Sequence, residues 1–541
     1  MTQRATTLLA ALTILVAAAA AYSNSFRGPF IFDDVAAIER NDSIRSLFSA
    51  EILIPPGRIT VARRPLANLS FAINYSIGGL AVPSYHIGNL LIHLLAALTL
   101  FGIVRRTLLL PPLRDRFGAA STGLAAAVAL IWVVHPLQTE SVTYIVQRAE
   151  SLMGLCYLLT LYAVIRSASS ERPHRWHAAA VAACALGMGA KEVMATAPIV
   201  VLLYDRAFLS GSFREAFRRR KRLYLGLAAT WAVLAAIMLL YEGPGAAGFG
   251  ISAITPWRYA LTQPGVLLHY LRLSFWPHPL CLDYAWPFAT TFWQIVPQTL
   301  ALAALLAATA WALVRQPALG FLGAWFLLIL APTSSVMPID DACFEHRMYL
   351  SLAAPVAVAV VAAYRVAERL LGRTEISQQA RKRRAFGTVA LLALCAAAGL
   401  GVMTFQRNAQ YRSRFSIWED VTRNRPKNPR GWSNLGLAYA DAGRFDEAFR
   451  EYDEALKLNP DCAKASRDPA NARADDARNS EAGRENNKAS AFSMLMLHSK
   501  KKEYAQALAD ASRYEKLGGR LDPGFVKTLI RAADQGSMLG P

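Results

Sequence analysis

Cysteine is scarce and scattered. The six residues Cys156, Cys184, Cys281, Cys343, Cys395 and Cys462 never cluster and form no CxxC, so neither a disulfide framework nor a zinc site follows from them. Charge is thin as well, at 18% of residues against 54% hydrophobic, and the acids are outnumbered, 38 to 58. The resulting net charge of +20 does not point to nucleic acid. The basic residues sit in short loops between apolar runs, as the positive-inside rule expects. A mean hydropathy of +0.26 excludes an ordinary soluble protein. Many apolar runs exceed about 16 residues, near the length with which a helix crosses lipid.

The expected fold class is α. A polytopic helical membrane domain of about eleven spans fills residues 1–404, and a TPR-type helical region follows. Span one, about Thr7–Tyr22, also fits a signal peptide, but the polytopic chain behind it favours a retained span. A long polar outer loop covers residues 23–84 and has room for short interfacial helices around Leu66–Leu80. Further spans are expected near Tyr85–Val104, Ala119–Val134, Ser141–Ile165, His177–Gly189, Val193–Phe208 and Leu223–Tyr241. Four more follow near Thr291–Val314, Pro317–Pro332, Met348–Tyr364 and Phe386–Thr404. Tyr259–Trp276 is apolar but carries Pro264, His269 and Arg272 between two tryptophans, so it reads as an interfacial or re-entrant helix inside a second outer loop, 243–290. Every basic block, Arg218–Arg222 above all, then falls on the inner side. The N-terminus is expected to be cytoplasmic and the C-terminal tail extracytoplasmic, in a bacterial inner (plasma) membrane.

In the tail, Trp432, Leu435, Gly436, Tyr439, Ala448, Tyr452, Ala455 and Pro460 fall on the tetratricopeptide pattern. Small residues let two antiparallel helices approach, aromatics fill the gap and proline ends the unit. The repeat region is bounded at 405–462, a polar linker at 463–488 and degenerate repeat-like helices at 489–541. Solenoids usually need about three repeats, so this tail is expected to lean on the membrane domain. It also offers a surface for a protein partner.

The chemistry-bearing residues gather on the outer side. Asp33-Asp34 opens the set: two neighbouring carboxylates do not both ionise easily, which suits a general base or a cation site. The plainer reading is a solvated pair or a helix cap. His135 and Glu140 follow span three. Glu140, Tyr144 and Arg148 recur every four residues and are expected to share one helix face, with Glu150 nearby at membrane depth. Lys191-Glu192 stands at the end of span five, and Asp340, Asp341, Glu345, His346 and Arg347 precede span ten. The structural alternatives are an Arg148–Glu150 pair holding helices and an Arg347 anchor. Carboxylates for proton transfer and cations for an anion, all at one membrane face, suit a lipid-phosphate donor whose leaving group gains charge as its bond breaks. Arg is the residue best shaped to grip phosphate.

Five stretches carry a family resemblance: PFIFDDVAAIERNDSI from Pro29, RRPLANLSFAINYSIGGLAVPSYHIGNLLIH from Arg63, HPLQTESVTYIVQRAESL from His135, AKEVMATAPIVVLLYD from Ala190, and FEHRMYLSL from Phe344. Together with the Trp418 segment, they resemble the transmembrane and TPR-containing protein O-mannosyltransferases of the GT-C fold, as a bacterial relative. The resemblance implies transfer of a sugar, typically mannose, from a polyprenyl-phosphate carrier to a hydroxyl on a protein or glycan acceptor. It also implies a catalytic base at Asp33 or Asp34. Substrate or lipid-phosphate contacts are expected from His135, Glu140, Arg148, Lys191, Glu192, His346 and Arg347. Enzymes of this fold differ in whether they need a divalent cation; no ligand spacing here assigns one, and no metal residue is named. The animal members carry long repeat arrays, whereas one repeat is clean here. Two other classes are weighed: a transporter or flippase with Arg148 and Glu150 as an ion relay, and a non-catalytic anchor for the repeat.

Overall fold

The computed structural model describes residues 2–55, 59–240, 255–371, 377–458, 488–501 and 503–537. Among them the chain is helical throughout, with no strand. The helices are α1 (Gln3–Ala21), α2 (Pro65–Gly78), α3 (Val82–Leu108), α4 (Pro111–Phe117), α5 (Ser121–Val133), α6 (Thr139–Val142), α7 (Arg148–Ser167), α8 (Pro173–Met188), α9 (Ala197–Tyr204), α10 (Phe213–Leu240) and α11 (Pro256–Leu273). Then come α12 (Phe292–Arg315), α13 (Pro317–Leu330), α14 (Met348–Ser351), α15 (Ala353–Leu371), α16 (Gln378–Gln410), α17 (Arg414–Asn424), α18 (Pro429–Asp441) and α19 (Phe445–Lys457). The tail ends in α20 (488–500), α21 (Tyr504–Lys516) and α22 (Pro523–Ser537).

Eight helical segments among the described residues are long and apolar enough to cross a membrane, and a ninth is the pair Glu345–Ser351 and Ala353–Leu371, bent by 52°. The chain is an integral membrane protein. The expected count of eleven is therefore not reached by length and composition. The difference lies at α8, with 16 residues, and α13, with 14, which occupy expected span positions but are short for a bilayer of about 30 Å at 1.5 Å per residue. α11 is not among the crossing helices. It carries Pro264 internally and ties down the segment between α13 and α14, with the Tyr259 hydroxyl on Thr333 O at 2.5 Å and the Tyr270 hydroxyl on Phe344 O at 2.8 Å. The first part of the expected loop 243–290 and the linker 463–487 lie outside the described residues, as does Pro460.

Two ends of the bundle can be told apart by contacts. At one end, Asn408 donates to Ala21 O at 3.0 Å and Asn24 to Phe405 O at 2.8 Å, so α1 and α16 finish together. At the other end Lys382 reaches Asp115 O at 3.1 Å and Arg206 reaches Leu313 O at 2.6 Å. The loop after α1 that carries Asp33 and Asp34 and the repeat after α16 thus share the first end. The basic stretches gather at the second.

The repeat forms as its sequence pattern requires. Gly436 lets the Tyr452 ring lie against α18, and Leu435, Ala448, Tyr452 and Ala455 are buried. Gly443 turns the chain between α18 and α19 at φ +73°, a conformation that costs glycine little. Trp432 is only half-buried and donates to Pro426 O at 2.8 Å, while Tyr439 stacks with Phe415. α20 continues the packing, with His498 stacked on Phe449 at 4.1 Å. On the other side, Ile417, Trp418, Val421 and Leu435 belong to the same apolar core as the membrane helices. The single clean repeat leans on the membrane domain as its short length requires.

Candidate active site

The two adjacent carboxylates have opposite surroundings. Asp34 is fully buried. Its Oδ2 accepts the N–H of Ile31 at 3.1 Å and its Oδ1 accepts the N–H of Val146 at 2.7 Å. Burial first, and the charge of Asp33 with it, push this carboxyl up to about 8 against the pull of those N–H donors. Asp34 is a buckle between the first outer loop and the chain entering α7. Asp33 is half-buried. Its N–H donates to the Tyr144 hydroxyl at 3.0 Å, and its carboxylate is met by the side chains of Thr60 and Tyr144. Burial raises it, while Thr60, Arg430 and Tyr144 hold it down. The preceding Phe32 sits at φ +47°, a left-handed conformation that costs a side-chain-bearing residue of order 1 kcal/mol or more. Trp418 holds it edge-on at 5.3 Å and Arg430 lies over its ring at 5.8 Å.

Glu140, Tyr144 and Arg148 do not share a helix face. α6 ends at Val142, Tyr144 is extended, a tight turn spans Ile145–Gln147, and α7 begins at Arg148. The break exists because Asp34 takes the N–H of Val146. The three side chains diverge. Glu140 holds His346 by its N–H and its Nδ1, both at 2.8 Å. Tyr144 reaches Asp33. Arg148 gives Nε to Asn89 Oδ1 and Nη1 to Asn74 Oδ1, each at 2.5 Å, and Nη2 to Tyr85 O at 2.8 Å.

The expected phosphate-binding cations are all engaged inside the protein. Arg148 clamps α2 and α3 to α7 and stacks on Phe71 at 4.6 Å. It does not pair with Glu150, which bonds Lys191 Nζ at 2.5 Å with both groups buried. The relay that a transporter would need between Arg148 and Glu150 is not assembled. Arg347 is spent on carbonyls, Ala342 O at 2.9 Å and Asp341 O at 2.7 Å. His135 caps a tight turn, accepting from Leu137 N–H at 3.2 Å and facing Ser274 O at 3.3 Å. Glu192 is half-exposed, 3.9 Å from Arg64. No group of three His, Cys, Asp or Glu side chains among the described residues is arranged to hold a metal ion.

A tetratricopeptide-repeat family model matches residues 429–462. Protein O-mannosyl-transferase Tmtc2 of Drosophila melanogaster is 30% identical over 320 residues, 54% of this chain and 33% of that protein. Tmtc3 of the same organism is 26% identical over 518 residues, 82% of this chain and 54% of that one. Human TMTC2 is 32% identical over 200 residues, 34% of this chain and 22% of that protein. The chain resembles protein O-mannosyl-transferases. It spans between a third and about half of the length of the first two relatives. Among solved structures, ArnT from Cupriavidus metallidurans bound to undecaprenyl phosphate superposes with a TM-score of 0.41 at 15% identity, over 84% of this chain and 80% of that one.

The structure shows two arginines that sequence reasoning passed over. Arg430, at the start of α18, grips Asp283 with Nε and Nη2 at 2.5 Å each and Asp341 at 2.7 and 3.2 Å. Burial works to raise Asp283, but Arg430 outweighs it and holds that carboxyl below its ordinary range. The repeat therefore supplies a cation that joins the loops carrying Asp283 and Asp341 beside Phe32 and Asp33. Arg64 lies at the end of the turn 59–64 whose Thr60 meets Asp33. Its Nε is buried and has no hydrogen-bond partner among the described residues. The signal for Arg64 was an Arg-Arg pair in an outer loop, where the positive-inside rule expects few basic residues. Arg430 left no local signal, because its partners are 147 and 89 residues away.

Proposed function

We propose that this protein is a membrane glycosyltransferase that moves a sugar, mannose by analogy with its relatives, from a polyprenyl-phosphate carrier to a hydroxyl on a protein or glycan. The observation behind this reading is the asymmetry of the acidic pair: Asp34 has both oxygens on backbone N–H groups, while Asp33 keeps a half-buried carboxylate at the outer end of the bundle. Asp33 takes the proton of the acceptor hydroxyl as its oxygen attacks the anomeric carbon. The bond from that carbon to the phosphate oxygen breaks, and the lipid phosphate leaves with the charge. A carboxylate in this role typically contributes 10²–10⁴-fold.

Arg64 is the cation we assign to the departing phosphate, since its buried Nε has no hydrogen-bond partner among the described residues and its contact to Glu192 is long, at 3.9 Å. Lys191, His346, Glu140 and Arg347 act behind it, by fixing the loops around Asp33 and Arg64, and His135 and Arg148 hold the helix breaks. The test is transfer from labelled polyprenyl-phosphate mannose in membranes holding the wild type, Asp33→Asn or Arg64→Gln. The reading expects transfer by the wild type, near-complete loss in the first variant and weakened donor use in the second. Equal transfer in all three rejects it. No transfer by the wild type from any of several lipid-linked sugars removes the glycosyltransferase reading altogether.

A further inference from the structure

The end of the bundle opposite Asp33 carries a second polar centre. α16 has 33 residues, so its first turn lies about 50 Å along the helix from the end that meets α1. There, α4, the last turns of α15 and the first turns of α16 border an open groove of about 590 Å³, with Asp115, Arg116 and Arg369 exposed along it. Arg116, Arg365, Arg369, Arg381 and Lys382 line it, against the carboxylates of Asp115 and Glu368. The positive-inside rule accounts for basic residues at this end of the helices. It does not account for five of them turning to one groove. Among the described residues none of the five is in an ion pair, and neither carboxylate is either. The Arg381 Nε is buried with no hydrogen-bond partner there.

Electrostatics and setting both favour an anion that comes with an apolar body. Arg381 and Lys382 stand in the first turns of α16, the positive end of its dipole, where like charges repel and an anion is welcomed. Arginine forks are shaped for phosphate oxygens. One turn from the groove, Val366 and Leu370 are more than half exposed on α15, as a side chain facing acyl chains would be. We infer that this groove binds the phosphate headgroup of an anionic phospholipid, away from the site of transfer and independently of it.

The test uses the full chain, purified and placed in phosphatidylcholine nanodiscs with and without phosphatidylglycerol, with lipid retention measured by native mass spectrometry. The wild type is expected to retain phosphatidylglycerol over phosphatidylcholine. The variant Arg365→Gln/Arg369→Gln/Arg381→Gln should retain it about tenfold less or weaker still. The corresponding triple Lys variant keeps the charge and the fold but loses the forks, and should fall between the two. Arg218→Gln/Arg219→Gln/Arg222→Gln removes equal charge from another basic block and should stay within about twofold of wild type. Equal weakening in both Gln variants would mean diffuse attraction to the lipid surface and overturn the inference. So would displacement of the lipid by inorganic phosphate or glycerol phosphate at similar concentration, which would make this a soluble-anion site. Lack of preference between the two lipids overturns it as well.

Discussion

Removing the Arg430 guanidinium perturbs the join between the repeat and the outer loops in a way whose size follows from burial. Arg430 keeps 24% of its side-chain surface exposed, Asp341 keeps 23%, and Asp283 keeps 1%. The arm to Asp341 is therefore a near-surface pair worth at most about 1 kcal/mol. The arm to Asp283 is different. In Arg430→Gln that carboxylate stays in the interior with the Ala285 N–H at 3.2 Å and no cation on it. Breaking a buried pair from one side costs about 3–5 kcal/mol. The repeat does not detach, because Arg414 still donates to Phe30 O at 3.0 Å and Trp418 still packs on Phe32. The loss falls on local opening of residues 30–34 and 280–285. Hydrogen exchange should quicken there by about a hundredfold to a few thousandfold, up to the limit set by larger unfolding events. Arg430→Gln/Asp283→Asn leaves no buried charge alone and should recover most of the protection. Unchanged exchange in the single variant, or a double variant no better protected than the single one, would refute the reasoning.

The same logic reaches other positions. Lys191→Met strands the buried Glu150 and should destabilise by about 3–5 kcal/mol, with Lys191→Met/Glu150→Gln recovering much of it; thermal unfolding of the two variants checks this. Asp34 binds its proton more tightly folded than unfolded, so its contribution to stability is greatest below about pH 4 and is lost as pH rises towards about 8. The difference in melting temperature between wild type and Asp34→Asn should accordingly change across that window, and a constant difference would contradict the burial of this carboxyl. Arg64→Gln should raise KM for the lipid donor or lower kcat while leaving the melting temperature within a few degrees, since its only ion-pair contact is 3.9 Å long. A large loss of stability there would make Arg64 a packing residue instead.

Much of this architecture could be read from the chain. The apolar runs became helices where expected, the glycine and alanine positions of the repeat became its close contacts, and α11, with Arg258, His269 and Arg272 among its apolar residues, is not among the crossing helices. The failures share a physical cause, which is contact between residues far apart in sequence. A spacing of four residues suggested one face for Glu140, Tyr144 and Arg148, but Asp34, 112 residues before Val146, claims the N–H that would have continued the helix. Asp33 and Asp34 look alike as neighbours and differ through the groups around them: Ile31 and Val146 for Asp34, Thr60, Tyr144 and Arg430 for Asp33. Glu150 found Lys191, in the turn after α8, in place of Arg148. The length of α8 and α13 shows the other limit: hydropathy marks an apolar segment well but says less about whether it is long enough to cross.

The most direct test of the account is single-turnover sugar transfer by wild type, Asp33→Asn and Asp34→Asn, each first checked for insertion and melting temperature. The account predicts that Asp33→Asn inserts and melts like wild type but loses about a thousandfold or more in rate, whereas Asp34→Asn melts lower and keeps measurable transfer in proportion to its folded fraction. Transfer that survives in Asp33→Asn and vanishes in a fully folded Asp34→Asn would contradict it.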